Sequence, residues 1–224
     1  MEKITRSKRE WMFWIILAVP FIYSAIIWKS LPDRVPTHFD LHGNPNDYSS
    51  KLFGAFGLPG FAVIMYLILR YIPMIDPRRK NYDYFSNSYI NIRFAIAVFM
   101  LLIYFFTVEA ARSNAFLFHP RYIFTAVFLL FALIGNYMKN IRPNFFIGVR
   151  TPWTLDNADV WRKTHELGGK LWFYSGLAGS IACLFLPDNI AIIFFFGIMI
   201  PIAIVPVVYS YLEFRKIKKQ ENNS

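Results

Sequence analysis

Imidazole and carboxylate groups, which zinc and similar ions take as ligands, are concentrated in one polar segment between residues 29 and 51. His38, Asp40 and His42 alternate in this segment. Because alternate side chains of an extended strand share one face, the three could converge on a metal ion. We predict no cofactor for the chain and take these three residues as its candidate metal ligands. The competing interpretation is a turn-rich loop that caps a helix bundle.

A second polar segment, Lys139 to Lys170, contains a further pair with acid–base potential, His165 and Glu166. Adjacent residues on a helix point about 100° apart, so these two do not form a catalytic pair by themselves. No nucleophile motif, phosphate-binding loop or set of oxyanion donors accompanies them. We therefore predict no catalytic residues and no enzymatic activity.

The elements that must position both polar segments are apolar. Of the 224 residues 56% are hydrophobic, whereas soluble domains average about 45–50%. Six stretches almost free of charge approach the ~20 residues that a helix needs to cross a bilayer. They are residues 11–28, 52–69, 94–108, 122–138, 171–186 and 190–212. The sequence predicts an all-α polytopic membrane protein with six transmembrane helices.

The distribution of lysine and arginine predicts the orientation, because cytoplasmic loops carry an excess of both. Of the 24 such residues, 19 fall in the two tails and in the second and fourth loops, and 5 fall in the remaining loops. Both chain ends are therefore predicted to lie in the cytoplasm, with 29–51 as a long outer loop and 139–170 as an amphipathic inner loop. The net charge of +10 follows from this pattern, and we predict no direct nucleic-acid binding.

The inner loop is predicted to contain a helix. Pro143 and Pro152 interrupt its first half, and Asp156 and Asp159 suit a helix start as N-cap and first-turn acid. The apolar spacing that follows predicts an amphipathic helix that runs into the fifth transmembrane helix. Three indoles are expected near the lipid headgroups, those of Trp153, Trp161 and Trp172. The loop is interpreted either as a segment that contacts lipid phosphates or as a cytoplasmic docking surface or gate.

Small residues four apart form one face of the predicted fifth helix, namely Ser175, Gly176, Gly179 and Ser180. Such a face lets another helix approach closely, and we interpret it as packing within the chain rather than as a dimer contact. The short LPDN stretch at 186–189 predicts an antiparallel hairpin between helices five and six.

The inner-loop stretch NFFIGVRTPWTLDNADVWRKTHELGG resembles the signature of the SdpI/YfhL family of bacterial membrane proteins. The positions that carry this resemblance are Asn144, Ile147, Gly148, Arg150, Thr151, Pro152, Trp153, Thr154, Trp161, Lys163, Thr164, His165 and Gly168. The outer loop is similar to a second region, a domain of unknown function that often precedes the signature. Its matching positions are Leu31, Pro32, Pro36, His38, Phe39, Gly43 and Asp47.

The resemblance implies a multi-pass protein of the bacterial plasma membrane that confers immunity to a secreted peptide toxin or signals envelope stress. Its implied partners are the lipid bilayer, a peptide toxin outside and a cytoplasmic repressor inside. We divide the chain into residues 1–75, which hold two helices and the outer loop, and residues 76–224, which hold four helices and the inner loop.

Three other classes of protein remain open: a small membrane transporter, a metal-binding membrane enzyme, and a structural membrane protein whose loops serve assembly. A transporter should carry polar or charged groups within its helices, and we expect few there.

Overall fold

The computed structural model describes residues 9–41, 43–112 and 119–221, and these ranges contain seven α-helices and one β-hairpin. In chain order the elements are α1 (Glu10–Ile27), β1 (Arg34–Phe39), β2 (Pro45–Ser50), α2 (Lys51–Ile75), α3 (Ser86–Arg112), α4 (Pro120–Met138), α5 (Pro152–Asp156), α6 (Ala158–Phe185) and α7 (Asp188–Glu221). Two short 3-10 helices, Trp28–Ser30 and Arg79–Phe85, follow α1 and precede α3.

Five helices in the described ranges are long and apolar enough to cross a membrane, namely α1, α2, α3, α4 and α7. This confirms the prediction of a helical, polytopic membrane protein. The predicted fifth span, 171–186, forms the C-terminal half of α6, which is continuous with the predicted amphipathic helix. Because α6 is not one of the five, the count of six spans stays a prediction.

Helices α4 and α6 pack with their backbones in close contact. A Cβ added to Gly135 would lie 2.8 Å from the carbonyl oxygen of Gly169, and one added to Gly176 would lie 2.5 Å from that of Phe128. Only glycine lets two backbones approach this closely. The small-residue face of α6 therefore packs within the chain, as predicted. The short connection after Phe185 makes α6 and α7 neighbours, as the LPDN stretch also predicted.

The outer loop departs from an all-α fold, since it forms an antiparallel hairpin of β1 and β2. Gly43 lies in its turn with a φ of 86°. Val35 of β1 is fully buried, and a Cβ on Gly54 of α2 would lie 2.5 Å from its Cγ1. The hairpin thus caps the adjoining ends of α2 and α3, which confirms the capping interpretation.

The described parts of the four segments that the charge distribution assigned to the cytoplasm lie at one end of the helix bundle. Arg9 donates to Asn91 Oδ1 at 3.0 Å, and Lys163 donates to Glu213 Oε2 at 2.8 Å. At the other end, His119 before α4 lies 2.7 Å from Asp188 at the start of α7. The helices therefore place Arg9, both basic loops and the C-terminal end of α7 together, whereas the assignment of that end to the cytoplasm stays a prediction.

Two arginines that the charge distribution assigned to an inner loop lie within helices. Arg93 of α3 is 1% exposed and Arg70 belongs to α2. Both pair with Glu10 of α1, at 3.1 Å for Arg93 and 2.8 Å for Arg70, and the Tyr66 hydroxyl donates to the same carboxylate. Glu10, Arg70 and Arg93 each directly adjoin a predicted span, so the helices extend past the charge-free runs and one carboxylate joins three of them at this end of the bundle.

Candidate functional site: the loop assembly

Two polar stretches, residues 76–85 and 140–165, pack against each other at the end of the bundle that holds Arg9 and the C-terminal end of α7. We call them together the loop assembly. Arg78 donates from Nη2 to the Leu155 carbonyl at 2.9 Å, across 77 residues of sequence. The loop that carries the family signature is therefore folded against a second loop of the chain.

Asp76 organises the first of these stretches. Its side chain accepts hydrogen bonds from the Phe145 amide at 3.0 Å and from the Tyr82 hydroxyl at 3.0 Å, and the residue is 1% exposed. Asn81 adds a bond to the Pro143 carbonyl at 2.7 Å. Sequence reasoning missed Asp76, because an acid next to a basic run is an ordinary loop pattern and its partner lies 69 residues away.

Asn144, the first residue of the signature, is fully buried and uses both ends of its amide. Its Oδ1 accepts from the amides of Phe146 at 2.9 Å and Ile147 at 2.7 Å. Its Nδ2 donates to the carbonyls of Arg142 at 2.9 Å and Ile147 at 3.1 Å. An amide with both functions satisfied by local backbone holds the loop in one conformation.

Thr151 and Thr154 form a capping box at the start of α5. The Thr154 amide donates to Thr151 Oγ1 at 3.2 Å, and the Thr151 amide donates to Thr154 Oγ1 at 2.9 Å. Pro152 fits the first helical position, where no amide hydrogen is needed. The Thr151 hydroxyl also lies 3.0 Å from that of Ser210 on α7. The Thr-Pro-x-Thr part of the signature thus starts a helix and attaches it to α7.

The predicted N-cap at Asp156 is wrong, because Asp156 ends α5. Asn157 caps α6, and its Oδ1 accepts from the amides of Asp159 at 2.9 Å and Val160 at 3.1 Å. An N-cap residue has an extended backbone rather than a helical one. Asn157 meets this condition, with φ −128° and ψ 122°, at the point where the chain turns between α5 and α6. Asp159 lies in the first turn, as predicted.

Trp161 does not face lipid, since it is 1% exposed. Its Nε1 donates to the Ile141 carbonyl at 2.8 Å, and its ring stacks on that of His165 with centroids 4.1 Å apart. A buried indole whose N–H is paired acts as a packing residue. Trp161 is therefore not a lipid-facing anchor, and its depth at the headgroup level stays a prediction.

His165 is fully buried between two backbone groups. Nε2 accepts a hydrogen bond from the Val149 amide at 3.1 Å, so the proton of the neutral ring is on Nδ1. Nδ1 donates it to the Trp161 carbonyl at 2.9 Å. Burial lowers the pKa of His165 from its ordinary value to about 4, and the bond to Trp161 opposes this shift. The ring is thus neutral, and both nitrogens are occupied, so it cannot serve as an acid or base for an external group.

Arg150 and Trp153 differ from the buried signature residues. Arg150 is exposed and donates from Nη1 to the Phe145 carbonyl at 2.6 Å. Trp153 is half-buried, with its ring centroid 5.0 Å from that of Tyr211. The exposed Pro152, the first residue of α5, lies between them in the sequence, and we call Arg150, Pro152 and Trp153 together the α5 face.

Lys163 and Thr164 attach α6 to its surroundings. Lys163 pairs with Glu213 of α7, which also binds Lys216 at 2.7 Å. Hydrogen bonding to Glu213 raises the pKa of Lys163. Thr164 is fully buried. Both signature residues therefore serve the packing of the loop assembly on the helices.

The metal-ligand candidates lie in the hairpin. His38 Nδ1 is 2.6 Å from Asn46 Oδ1, and Asp40 accepts from the Asn44 amide at 2.8 Å. His42 lies outside the described residues. Within the described ranges no group of three or more His, Cys, Asp or Glu residues is placed to hold a metal ion. A site that includes His42 stays a prediction.

The other outer-loop motif residues build the same hairpin. Pro36 is buried opposite Tyr48, and Asp47 faces His38 across the strands. Phe39 ends β1, and Gly43 and the exposed Pro32 lie in connections at its two ends.

Comparison with known proteins agrees with this architecture. Residues 140–210, which contain the second half of the loop assembly and most of α6 and α7, match the SdpI/YfhL protein family. Residues 15–63, which contain the hairpin, match a domain of unknown function, DUF1648. Both resemblances are thereby confirmed. Together with the five apolar spans they define the class, a multi-pass plasma-membrane protein in which residues 140–210 are similar to the SdpI/YfhL family.

A curated relative extends the match over most of the chain. The sequence is 25% identical over 210 residues to the Immunity protein SdpI of Bacillus subtilis (strain 168), which covers 91% of this chain and 94% of the relative. No solved structure matches the chain.

Proposed function

We propose that the chain is a membrane immunity and signalling protein that protects its cell against a secreted peptide toxin or envelope stress. The observation that carries this proposal is the 25% identity to an immunity protein across 91% of the chain. The proposal assigns no catalytic step to the chain, since His165, the one histidine of the signature, is buried with both nitrogens engaged.

The α5 face is the part of the loop assembly that we propose as the docking surface for a cytoplasmic repressor. Asn144, Trp161 and His165 are buried and bonded to the chain itself, so they position this face and do not contact a partner. Arg150 offers an exposed guanidinium and Trp153 an indole edge, two residue types enriched at protein interfaces.

Helix α7 connects the two ends of the bundle and is the proposed route of signalling. Asp188 contacts His119 at one end, and Ser210 contacts Thr151 at the other. A toxin or stress that displaces the outer end of α7 would therefore act on the start of α5 through one continuous helix.

Survival after expression in a toxin-sensitive strain tests immunity. We expect colony survival on toxin to rise above that of cells with an empty vector. Unchanged survival, with the chain confirmed in the membrane fraction, would contradict immunity to that toxin.

The docking surface is tested with the Arg150→Ala/Trp153→Ala variant and a fluorescent fusion of a repressor encoded beside the gene. Under toxin the fusion should move to the membrane with wild-type protein and stay cytoplasmic with the variant at equal abundance. A variant that recruits the fusion normally would exclude the α5 face. A loss of abundance instead would assign the two residues to assembly.

A further inference from the structure

A cavity of about 500 Å³ lies between the C-terminal end of α4 and the first half of α6, apart from the α5 face. Its floor is the close approach of Gly135 to Gly169. Its walls carry three cationic side chains and one carboxylate, those of Lys139, Arg162, Lys170 and Glu166. The signature and the proposed signalling make no use of this cavity, which we call the basic groove.

The charges of the groove do not cancel. Glu166 lies 2.9 Å from Lys170, and hydrogen bonding to that lysine lowers the pKa of Glu166. Arg162 and Lys139 lower the same pKa further, so three cations surround one carboxylate. Asp159 lies 3.4 Å from Arg162 on the exposed side of α6 and offsets part of that charge. The lining residues keep an excess of positive charge, and all three cations are exposed.

The depth of the groove matches the surface of a membrane. The apolar helix α4 ends at Met138, directly before Lys139, and the apolar half of α6 begins at Leu171, directly after Lys170. Two aromatic residues continue the groove wall into this half: Phe173, half-buried, and Tyr174, 67% exposed. Aromatic rings at this level mark the boundary between headgroups and acyl chains.

We propose that the basic groove binds the phosphate of an anionic phospholipid from the leaflet at this end of the bundle. Lys139, Arg162 and Lys170 hold the phosphate oxygens, and Phe173 and Tyr174 contact the glycerol and the first acyl carbons. Basic pockets between transmembrane helices bind anionic headgroups in this way. A soluble acidic peptide would pair with the cations, but it would not supply the apolar contacts that Phe173 and Tyr174 offer. A phospholipid supplies both kinds of contact.

Lipid titration of the full chain in detergent, followed by native mass spectrometry, tests the proposal. Phosphatidylglycerol is compared with phosphatidylcholine, and inorganic phosphate is added as competitor. The groove variant is Lys139→Gln/Arg162→Gln/Lys170→Gln. Its matched control, Arg215→Gln/Lys218→Gln/Lys219→Gln, removes the same charge from the exposed end of α7.

We expect phosphatidylglycerol to bind the wild-type chain in preference to phosphatidylcholine. Each basic residue that contacts the anionic headgroup contributes about fivefold, so the groove variant should weaken that binding about a hundredfold. The control should weaken it less than about threefold, because its three residues lie outside the groove. Lys139→Gln alone should weaken phosphatidylglycerol binding about fivefold, and this single variant replaces the triple variant if the latter is unstable.

Three results would overturn the proposal. The groove variant could keep wild-type affinity, or both triple variants could lose affinity equally, which would indicate a diffuse charge effect. Inorganic phosphate or an oligoglutamate peptide could displace phosphatidylglycerol at concentrations that leave ionic strength unchanged, which would assign the groove to a soluble anion or an acidic partner.

Discussion

Gly148 lies directly against the imidazole ring of His165. Its φ is +102°, and a Cβ at this position would overlap Nε2 and lie 3.0 Å from Cδ2. The closeness lets the next residue, Val149, donate its amide to Nε2 at 3.1 Å. The two residues are 17 positions apart, and their contact closes the loop of the signature onto α6.

Gly148→Ala should therefore destabilise the loop assembly. The substitution adds a strained backbone conformation and a steric overlap with a buried ring, and together these cost about 2–4 kcal/mol. Thermal unfolding in detergent measures the loss. Gly60→Ala is the matched control, because no atom lies within 4 Å of a Cβ there, and it should change stability by about 1 kcal/mol or less. Equal melting of both variants would contradict the close contact.

Stability should depend on pH through His165. The pKa of this residue is lowered to about 4 in the folded chain, whereas an unfolded chain titrates near about 6.5. The unfolded state alone takes up the proton between these values, so the free energy of unfolding should fall as pH drops from about 6.5 to about 4, by about 3 kcal/mol in total.

His165→Gln isolates this effect from that of the carboxylates. The variant should be less stable at pH 7.5 and should lose less of its remaining stability between pH 6.5 and 4.5 than the wild type does. Identical slopes for the wild type and His165→Gln would show that the buried ring is not the titrating group.

Asn144→Ala should open the loop of the signature. It removes the partners of two amides and two carbonyls, which costs about 2–4 kcal/mol where the groups stay buried. Limited trypsin digestion after Arg142 and Arg150 should accelerate. Asn140→Ala, which loses a bond to Ser88 from an exposed position, should digest at about the wild-type rate. Unchanged digestion of the Asn144 variant would argue against its organising role.

Glu10→Gln should weaken the packing of α1 on α2 and α3. It leaves the buried Arg93 without an anionic partner, a change that costs about 3–5 kcal/mol. Glu109→Gln is the control, because its ion pair with Arg112 is one-third exposed on both sides and contributes about 1 kcal/mol or less. Thermal melting of the two variants in one detergent compares them, and equal midpoints would contradict a structural ion cluster.

The long apolar runs and the distribution of basic residues among the loops predicted much of the architecture. Long charge-free runs predict helices because each backbone group must be satisfied within its own segment in lipid. Small residues spaced four apart predicted that α6 packs within the chain, and local proline and turn residues predicted an extended outer loop.

The site was harder to predict, because its contacts join distant residues. Trp161 and His165 fit the pattern of an amphipathic membrane-surface helix, and contacts with distant residues such as Ile141 and Val149 hold them in the interior. The N-cap moved from Asp156 to Asn157 because α5 ends and α6 begins within two residues. In the sequence Arg93 and Glu10 flank two separate apolar runs. Only the packing of the helices brings the two side chains into contact.

Membrane potential in cells treated with a membrane-depolarising peptide toxin tests the immunity proposal most directly. A potential-sensitive dye is followed in a sensitive strain that expresses the chain, the Gly148→Ala variant or an empty vector. The potential should persist with the wild-type chain and collapse with the vector, and Gly148→Ala should protect only in proportion to its abundance in the membrane. A collapse with the wild-type chain equal to that of the vector, at confirmed membrane abundance, would contradict the assignment as an immunity protein against that toxin.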